Sequence, residues 1–356
     1  MRYLGIDVHS QASVWCLLDQ DGEIVREGKT PTTVAGLKEL ATKLKSEEPV
    51  RAGQEVGTMA YLVHDAFTVM GVEILSFNAA QLRMIAASRK KTDRRDAYWI
   101  ARGLATGMHP HPVYIPTGEI RELRTLLTRR RLVLVDHNRW QHRARSGLRA
   151  SGVQLTRGGY HLTRRLAPVL ETTSEIDPQL RSTLELCQRQ QAALSLELRQ
   201  VEAEIRSRIR SIDAIARLQT IPGIGVLTAT TIYAWIGDVH RFPSAKVLSA
   251  YAGLVPSVRQ SGASQRMGPI TKTGAKPLRG ALVQAATVVM YRSRSSDAEP
   301  LQAVAERVCG RRGRRKIAVV ALARHLLRIA YYVLRDGTSY EADCVGATVA
   351  QQRAVA

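Results

Sequence analysis

The sequence predicts an α/β amino-terminal domain on a mixed sheet, a helical middle and a mostly helical carboxy-terminal domain. Three observations lead there. Short apolar runs alternate with amphipathic stretches through the first part of the chain, the signature of strands and helices in alternation. From Gly118 to about Ile215 no strand pattern occurs. From Arg217 onward, apolar residues return at helical spacing, broken by Gly and Pro. The expected organisation is residues 1–110, 111–216 and 217–340 as successive domains, with 341–356 a frayed tail.

Arg2 to Val8 and Ser13 to Leu18 read as strands, and Asp21-Gly22 is a hairpin signal leading into a third, Glu23 to Gly28. Val34 to Lys45 is helical, with Leu37, Leu40, Ala41 and Leu44 on one face. Val50 to Val56 is a strand, Ala60 to Met70 a helix and Val72 to Phe77 a strand. Helices near Ala79 to Arg89 and Asp93 to Thr106 follow. Three strands in hairpin order, then helix, strand, helix and strand, give a mixed sheet covered by helices, the order of an RNase H-like (RuvC-like) domain.

Arg121 to Arg149 reads as one long basic helix, and Asp177-Pro178 caps another. That second helix carries a seam of Leu180, Leu184, Cys187, Gln191, Leu194, Leu198, Val201 and Ile205, spaced as in a coiled coil. Such a seam pairs either with a partner helix, which is the expectation, or with the same chain. Leu218 to Asp238 has a helix-turn-helix pattern around Pro222-Gly223-Ile224-Gly225. It reads as a helix-hairpin-helix whose Gly223 and Gly225 amides meet a DNA phosphate, or as a plain tight turn. Pro256 to Lys276 is polar, glycine-rich and basic, the composition of a solvated loop or of a phosphate-gripping one. Its cations, with the following helix, are Arg259, Arg266, Lys272 and Arg279. Cys309 to Lys316, CGRRGRRK, reads as a dense basic loop.

The 356 residues carry a formal charge of +21 and are 45% apolar, which excludes a disordered chain and points to a polyanionic partner. Nucleic acid fits better than a membrane surface, since no window approaches about eighteen uninterrupted apolar residues. Cys16, Cys187, Cys309 and Cys344 have neither zinc nor disulfide-framework spacing. The start MRYLGIDVHS lacks a signal-peptide pattern. The chain thus reads as cytoplasmic with reduced thiols.

Four acids in the first domain form a candidate site. Asp7 lies within an otherwise apolar strand, where a carboxylate needs compensation. Glu55 ends a second strand, and Asp93 and Asp96 in KTDRRDA share one helix face. Singly, Asp93 is equally well a helix cap, Asp96 a first-turn acid and Glu55 a solvated strand end. Together they would hold hard ions such as Mg²⁺ or Mn²⁺, the basis of two-metal phosphoryl transfer. Ser257, Ser261 and Ser264 are candidate nucleophiles, although no His neighbours them in sequence.

In order and spacing, GIDVHS, QEVGTMAY, KTDRRDA, LQTIPGIG, AYAGLVP, SG and ITKTG resemble the DEDD transposases of the bacterial insertion-sequence one-ten family, over roughly Arg2 to Tyr340. The resemblance implies that Asp7, Glu55, Asp93 and Asp96 bind the metal. It implies that Ser261 attacks a DNA phosphodiester and becomes transiently bonded to the strand. It further implies recombination of donor and target DNA guided by an element-encoded structured RNA, homodimers pairing into tetramers, and a nucleoid-associated location. Ser10 and Ala275 depart from the family's usual Lys and Asn. The alternatives are a Holliday-junction resolvase-like nuclease, which cuts with water and leaves no adduct, and a non-catalytic basic nucleic-acid scaffold.

Overall fold

The computed structural model describes residues 1–85, 92–152, 177–261, 264–310 and 313–342. The chain forms two compact units, Met1–Pro116 and Thr117–Ala356.

The first unit is a five-stranded sheet with helices on both faces. Its strands are β1 (Arg2–Asp7), β2 (Ala12–Leu18), β3 (Ile24–Pro31), β4 (Val50–Glu55) and β5 (Glu73–Phe77), in spatial order β3-β2-β1-β4-β5. β1–β2 and β2–β3 are antiparallel, while β1–β4 and β4–β5 are parallel. The expected turn is present: Gly22 sits at φ +83°, and the Asp19 carboxylate accepts from the Asp21 and Glu23 amides.

Side-chain alternation along β1 decides the layers. Leu4 and Ile6 enter a core with Leu37, Leu40 and Leu44 of α1 (Val34–Glu47) and Val63 and Phe67 of α2 (Ala60–Val69). Tyr3 packs in a cluster on the opposite face, with Ile100 and Leu104 of α4 (Asp93–Thr106). A short α3 (Ala79–Ile85) follows β5; the expected continuation to Arg89 lies outside the described residues. α4 ends at Gly107 in the left-handed conformation, as a helix stop requires.

In the second unit, α5 (Gly118–Ala150) and α6 (Pro178–Arg208) pack as an antiparallel pair. At one end a Cβ on Gly147 would come 2.8 Å from Leu180. At the other, Arg208 reaches Glu122. Arg129 with Glu197 and Arg130 with Glu202 bridge the pair between. The Asp177 carboxylate caps α6 by accepting from the Gln179 and Leu180 amides, with Pro178 opening the helix. The expected second-subunit partner for the seam is displaced here by α5 of the same chain. Leu184, Cys187, Gln191, Val201 and Ile205 are buried without any other polypeptide.

The remaining helices are α7 (Asp213–Gln219), α8 (Val226–Ile236), α9 (Ala245–Tyr251), α10 (Lys276–Tyr291), α11 (Glu299–Gly310) and α12 (Arg315–Asp336). They share one core with the base of α5 and α6. Among the described residues, α12 alone is long and apolar enough to cross a membrane. Its Ala318, Leu322, Leu326, Leu327 and Ala330 lie in that core.

Two basic segments differ from expectation. Pro256 to Lys276 is not a loop throughout: β6 (Pro256–Ser261) and β7 (Ser264–Ile270) form an antiparallel hairpin. Pairing satisfies the backbone of a segment with almost no apolar content. Its opposed Val258 and Met267 are 51% and 69% exposed, and Ile270 at its base packs against the core, so no alternating apolar stripe announces the hairpin. Of the expected basic loop, Cys309 and Gly310 end α11 and Arg315 and Lys316 open α12. Residues 311–312 and the tail from 343 lie outside the described residues.

Candidate active site

The four acids meet because of strand parity and two glycines. Asp7 lies on the same side of β1 as Gly5, and Glu55 on the same side of β4 as Gly53, both towards α4. Gly5 and Gly53 are paired in register, as are Ile6 and Gln54, which brings Asp7 and Glu55 together at adjacent strand ends. α4 presses on both glycines. A Cβ on Gly5 would stand 1.9 Å from the Ala97 carbonyl oxygen, and one on Gly53 2.9 Å from Ile100 and Leu104. Only hydrogen at these positions lets the helix seat so closely, and its first turn carries Asp93 and Asp96.

Asp7 is half-buried, and its carboxyl is held above the ordinary carboxylate range. Burial is the largest cause; His9 opposes it; Asp96, Asp93 and Glu55 each push the value further up. All three other acids therefore act on Asp7. Among the described residues, only Asp7 and Asp93, with His9, bring ligand atoms within 4.8 Å of one another, while Glu55 and Asp96 act on Asp7 through their charge; carboxylates so placed repel one another unless a cation sits among them. Hard oxygen donors of this number suit a divalent ion such as Mg²⁺ or Mn²⁺.

His9, which the sequence does not single out, stands beside the acids. Its Nε2 lies 3.2 Å from Asp7 Oδ2 and 3.4 Å from Asp93 Oδ2. The ligand atoms of Asp7, His9 and Asp93 all fall within 4.8 Å of one another. The available signal was spacing: a residue two positions beyond Asp7 in extended chain returns to the same side.

In the second unit, Ser261 is exposed at the end of β6, paired in register with Ser264. Ser257 is committed elsewhere, its hydroxyl donating to the Pro269 carbonyl at 3.0 Å. Arg259 and Arg266 occupy opposed register positions two residues from that serine pair. The base of the hairpin is zipped to the turn after α9. Thr271, Lys272 and Ala275 amides donate to the carbonyls of Val255, Gly253 and Tyr251. Gly253 and Gly274, at φ +67° and +78°, allow this, since a Cβ on either would strike the opposing backbone at 2.2 or 2.1 Å. Lys272 is exposed and adopts φ +55°, the one positive φ of a non-glycine residue among those described. Arg279, expected to meet phosphate, donates from Nη1 to the carbonyls of Ala252 (2.7 Å) and Thr273 (3.2 Å), pinning this base.

The turn between α7 and α8 holds Gly223 at φ +79°, and a Cβ there would meet Ala285 and Val289 of α10 at 2.8 and 2.6 Å. Gly223 thus serves packing. Gly225 caps α8 with open space beside it.

Comparison with known proteins gives one direction. Residues 4–151, which hold all four acids and His9, match a transposase family model, the DEDD type of IS110 elements. Residues 215–302, which hold Ser261, match the model described as the transposase IS116/IS110/IS902 family. The chain is 26% identical over 301 residues to the transposase for insertion sequence element IS1111A of Coxiella burnetii, covering 82% of this chain and 78% of that one. It is 34% identical over 191 residues to the transposase for insertion sequence element IS1328 of Yersinia enterocolitica, 53% and 55% of the two chains. Over 125 residues it is 36% identical to the pilin gene-inverting protein of Moraxella lacunata, 35% and 38% of the two.

Proposed function

The chain belongs to the IS116/IS110/IS902 transposase family, and from that premise we propose that it cuts and rejoins DNA through a serine–DNA intermediate at a metal-assisted acidic site. The observation that carries this reading is the placement of Asp7 and Glu55 at the adjacent ends of β1 and β4, beside the first turn of α4 with Asp93 and Asp96, where ligand atoms of Asp7, His9 and Asp93 lie within 4.8 Å of one another. The strand order β3-β2-β1-β4-β5 with an antiparallel start supports an RNase H-like assignment for the first unit.

Asp7, Glu55, Asp93 and Asp96 are the residues that would hold the metal. When bound, a divalent ion supplies a lowered pKa for a nearby hydroxyl and charge compensation for a leaving oxygen. In the proposed reaction the Ser261 Oγ attacks a DNA phosphorus. The new Oγ–P bond replaces the P–O3′ bond, and the freed 3′ oxygen takes a proton. Rejoining reverses the attack with a different 3′ hydroxyl. Arg266 and Lys272, exposed on the same hairpin and its base, would offset charge at the phosphorus, with Arg259 as a further candidate. A relative named for gene inversion supports cleavage with rejoining over simple hydrolysis. The exposed amide end of α8 at Gly225 would serve as a sequence-independent backbone contact.

DNA is the partner implied by a transposase. Guidance by a structured RNA, assembly into homodimers and tetramers, and action in the bacterial cytoplasm at the nucleoid belong to the same proposal. Since α5 already covers the α6 seam, self-assembly would use other surfaces.

The test is a nicked or suicide DNA substrate with Mg²⁺, resolved on a denaturing gel. Wild type should yield a protein-linked strand. Ser261→Ala should bind DNA equally and yield no such band, and Asp7→Asn should abolish it too. A persisting adduct in the serine variant would remove the nucleophile assignment. Cleavage by wild type with no adduct would favour the resolvase-like nuclease.

A further inference from the structure

We infer that His9 is a nitrogen ligand of the divalent ion held by the acids, making the centre a mixed nitrogen–oxygen site rather than an all-carboxylate one. This rests on the metal-site reading above and adds to it a fifth ligand and a metal preference.

The imidazole is placed by the backbone. β1 ends at Asp7, and two residues on the chain presents His9 between the ends of β1 and α4. Its Nε2 faces Asp7 Oδ2 on one element and Asp93 Oδ2 on the other, at 3.2 and 3.4 Å. Donor atoms this close together can converge on one ion as well as pair with one another, and the ligand atoms of Asp7, His9 and Asp93 lie within 4.8 Å. The ring is 46% exposed, so packing does not dictate its position. Its described polar contacts are the two carboxylates that would share the ion. An imidazole nitrogen favours first-row transition ions over Mg²⁺, whereas carboxylates alone suit both.

Mn²⁺ is the probe. It is added to the full-length protein, bound ion is measured by electron paramagnetic resonance, and pulsed spectra report nitrogen bonded directly to the metal. Wild type should bind Mn²⁺ with a nitrogen signal. His9→Ala, at an exposed position, should lose that signal and bind Mn²⁺ on the order of tenfold more weakly. Its preference for Mn²⁺ over competing Mg²⁺ should fall by a similar factor. Asp7→Asn should bind neither ion at this site. Mn²⁺ bound by wild type without a nitrogen signal, or a signal and affinity that survive in His9→Ala, overturns the assignment of His9 and leaves the acidic site standing. Failure of wild type to bind Mn²⁺ at all overturns both.

Discussion

Gly5 contributes no side chain, and its effect on the site comes from that absence. Any larger residue meets the backbone of α4, which cannot swing aside as a side chain can. Gly5→Ala should therefore cost about 1–3 kcal/mol, as overpacking does, and lift the Asp93–Asp96 turn from Asp7. The measurable outcome is a lower unfolding midpoint together with Mn²⁺ affinity reduced at least tenfold. Gly57→Ala, where a Cβ meets nothing within 4 Å, is the control and should change neither. Equal loss in both variants would mean that the close approach of helix to strand is not what organises the acids.

Among the elements, α12 is a core helix that carries one misplaced polar group. His325 lies between core residues, and its buried Nε2 has no hydrogen-bond partner. Burial, then the charges of Arg328 and Arg307, lower its pKa to about 4. An unfolded chain, with the ordinary value of 6.5, takes up a proton that the folded helix refuses. The stabilising effect of the neutral ring is fully present above about pH 6.5, shrinks as pH falls and is gone below about 4. The loss at pH 5 should be about 2 kcal/mol relative to neutral pH. Urea unfolding of wild type and His325→Leu at pH 7.5 and 5 reads it: the leucine variant should show a smaller drop by about that amount. Identical drops would place the acid sensitivity elsewhere. The α5–α6 pair makes a related point about elements. Its seam is spaced as a coiled coil whichever helix covers it, and the covering helix is one the chain already supplies.

For the whole molecule, the dominant quantity is charge. An excess of 21 positive charges cannot be relieved internally: even if each of the 31 acids paired with a cation, as in Arg26–Glu47 and Arg51–Glu73, 21 of the 52 cations would be left over. Phosphate neutralisation with counterion release should therefore govern binding to any duplex. Affinity for a random duplex, followed by fluorescence anisotropy, should fall on the order of a thousandfold between about 50 and 200 mM salt. A nearly flat dependence would show that few cations reach the backbone. Asp7→Asn should leave the slope unchanged, since those acids are proposed to act in chemistry and not in binding.

The element order of the first unit, its two-faced helical cover, the Asp21-Gly22 turn, the Asp177 cap and the family were all legible in local sequence. Periodicity, turn chemistry and capping act over a few residues, so a linear reading captures them. The four acids were legible from strand ends and helix spacing as a candidate set, but spacing left each with an ordinary explanation, and the family resemblance was what favoured the set. Tertiary structure decided the rest. Gly5 and Gly53 matter only when a helix far along the chain, at Ala97 for the one and Ile100 for the other, is laid across them. His9 acquires its place only when β1 and α4 bring two carboxylates to it. The β6–β7 hairpin escaped hydropathy because its opposed Val258 and Met267 are exposed, and Arg279 looked like a free cation until two backbone carbonyls closed around it. For the two glycines and His9 the deciding interaction joins segments distant in the chain, and such contacts leave no period for a sequence to display.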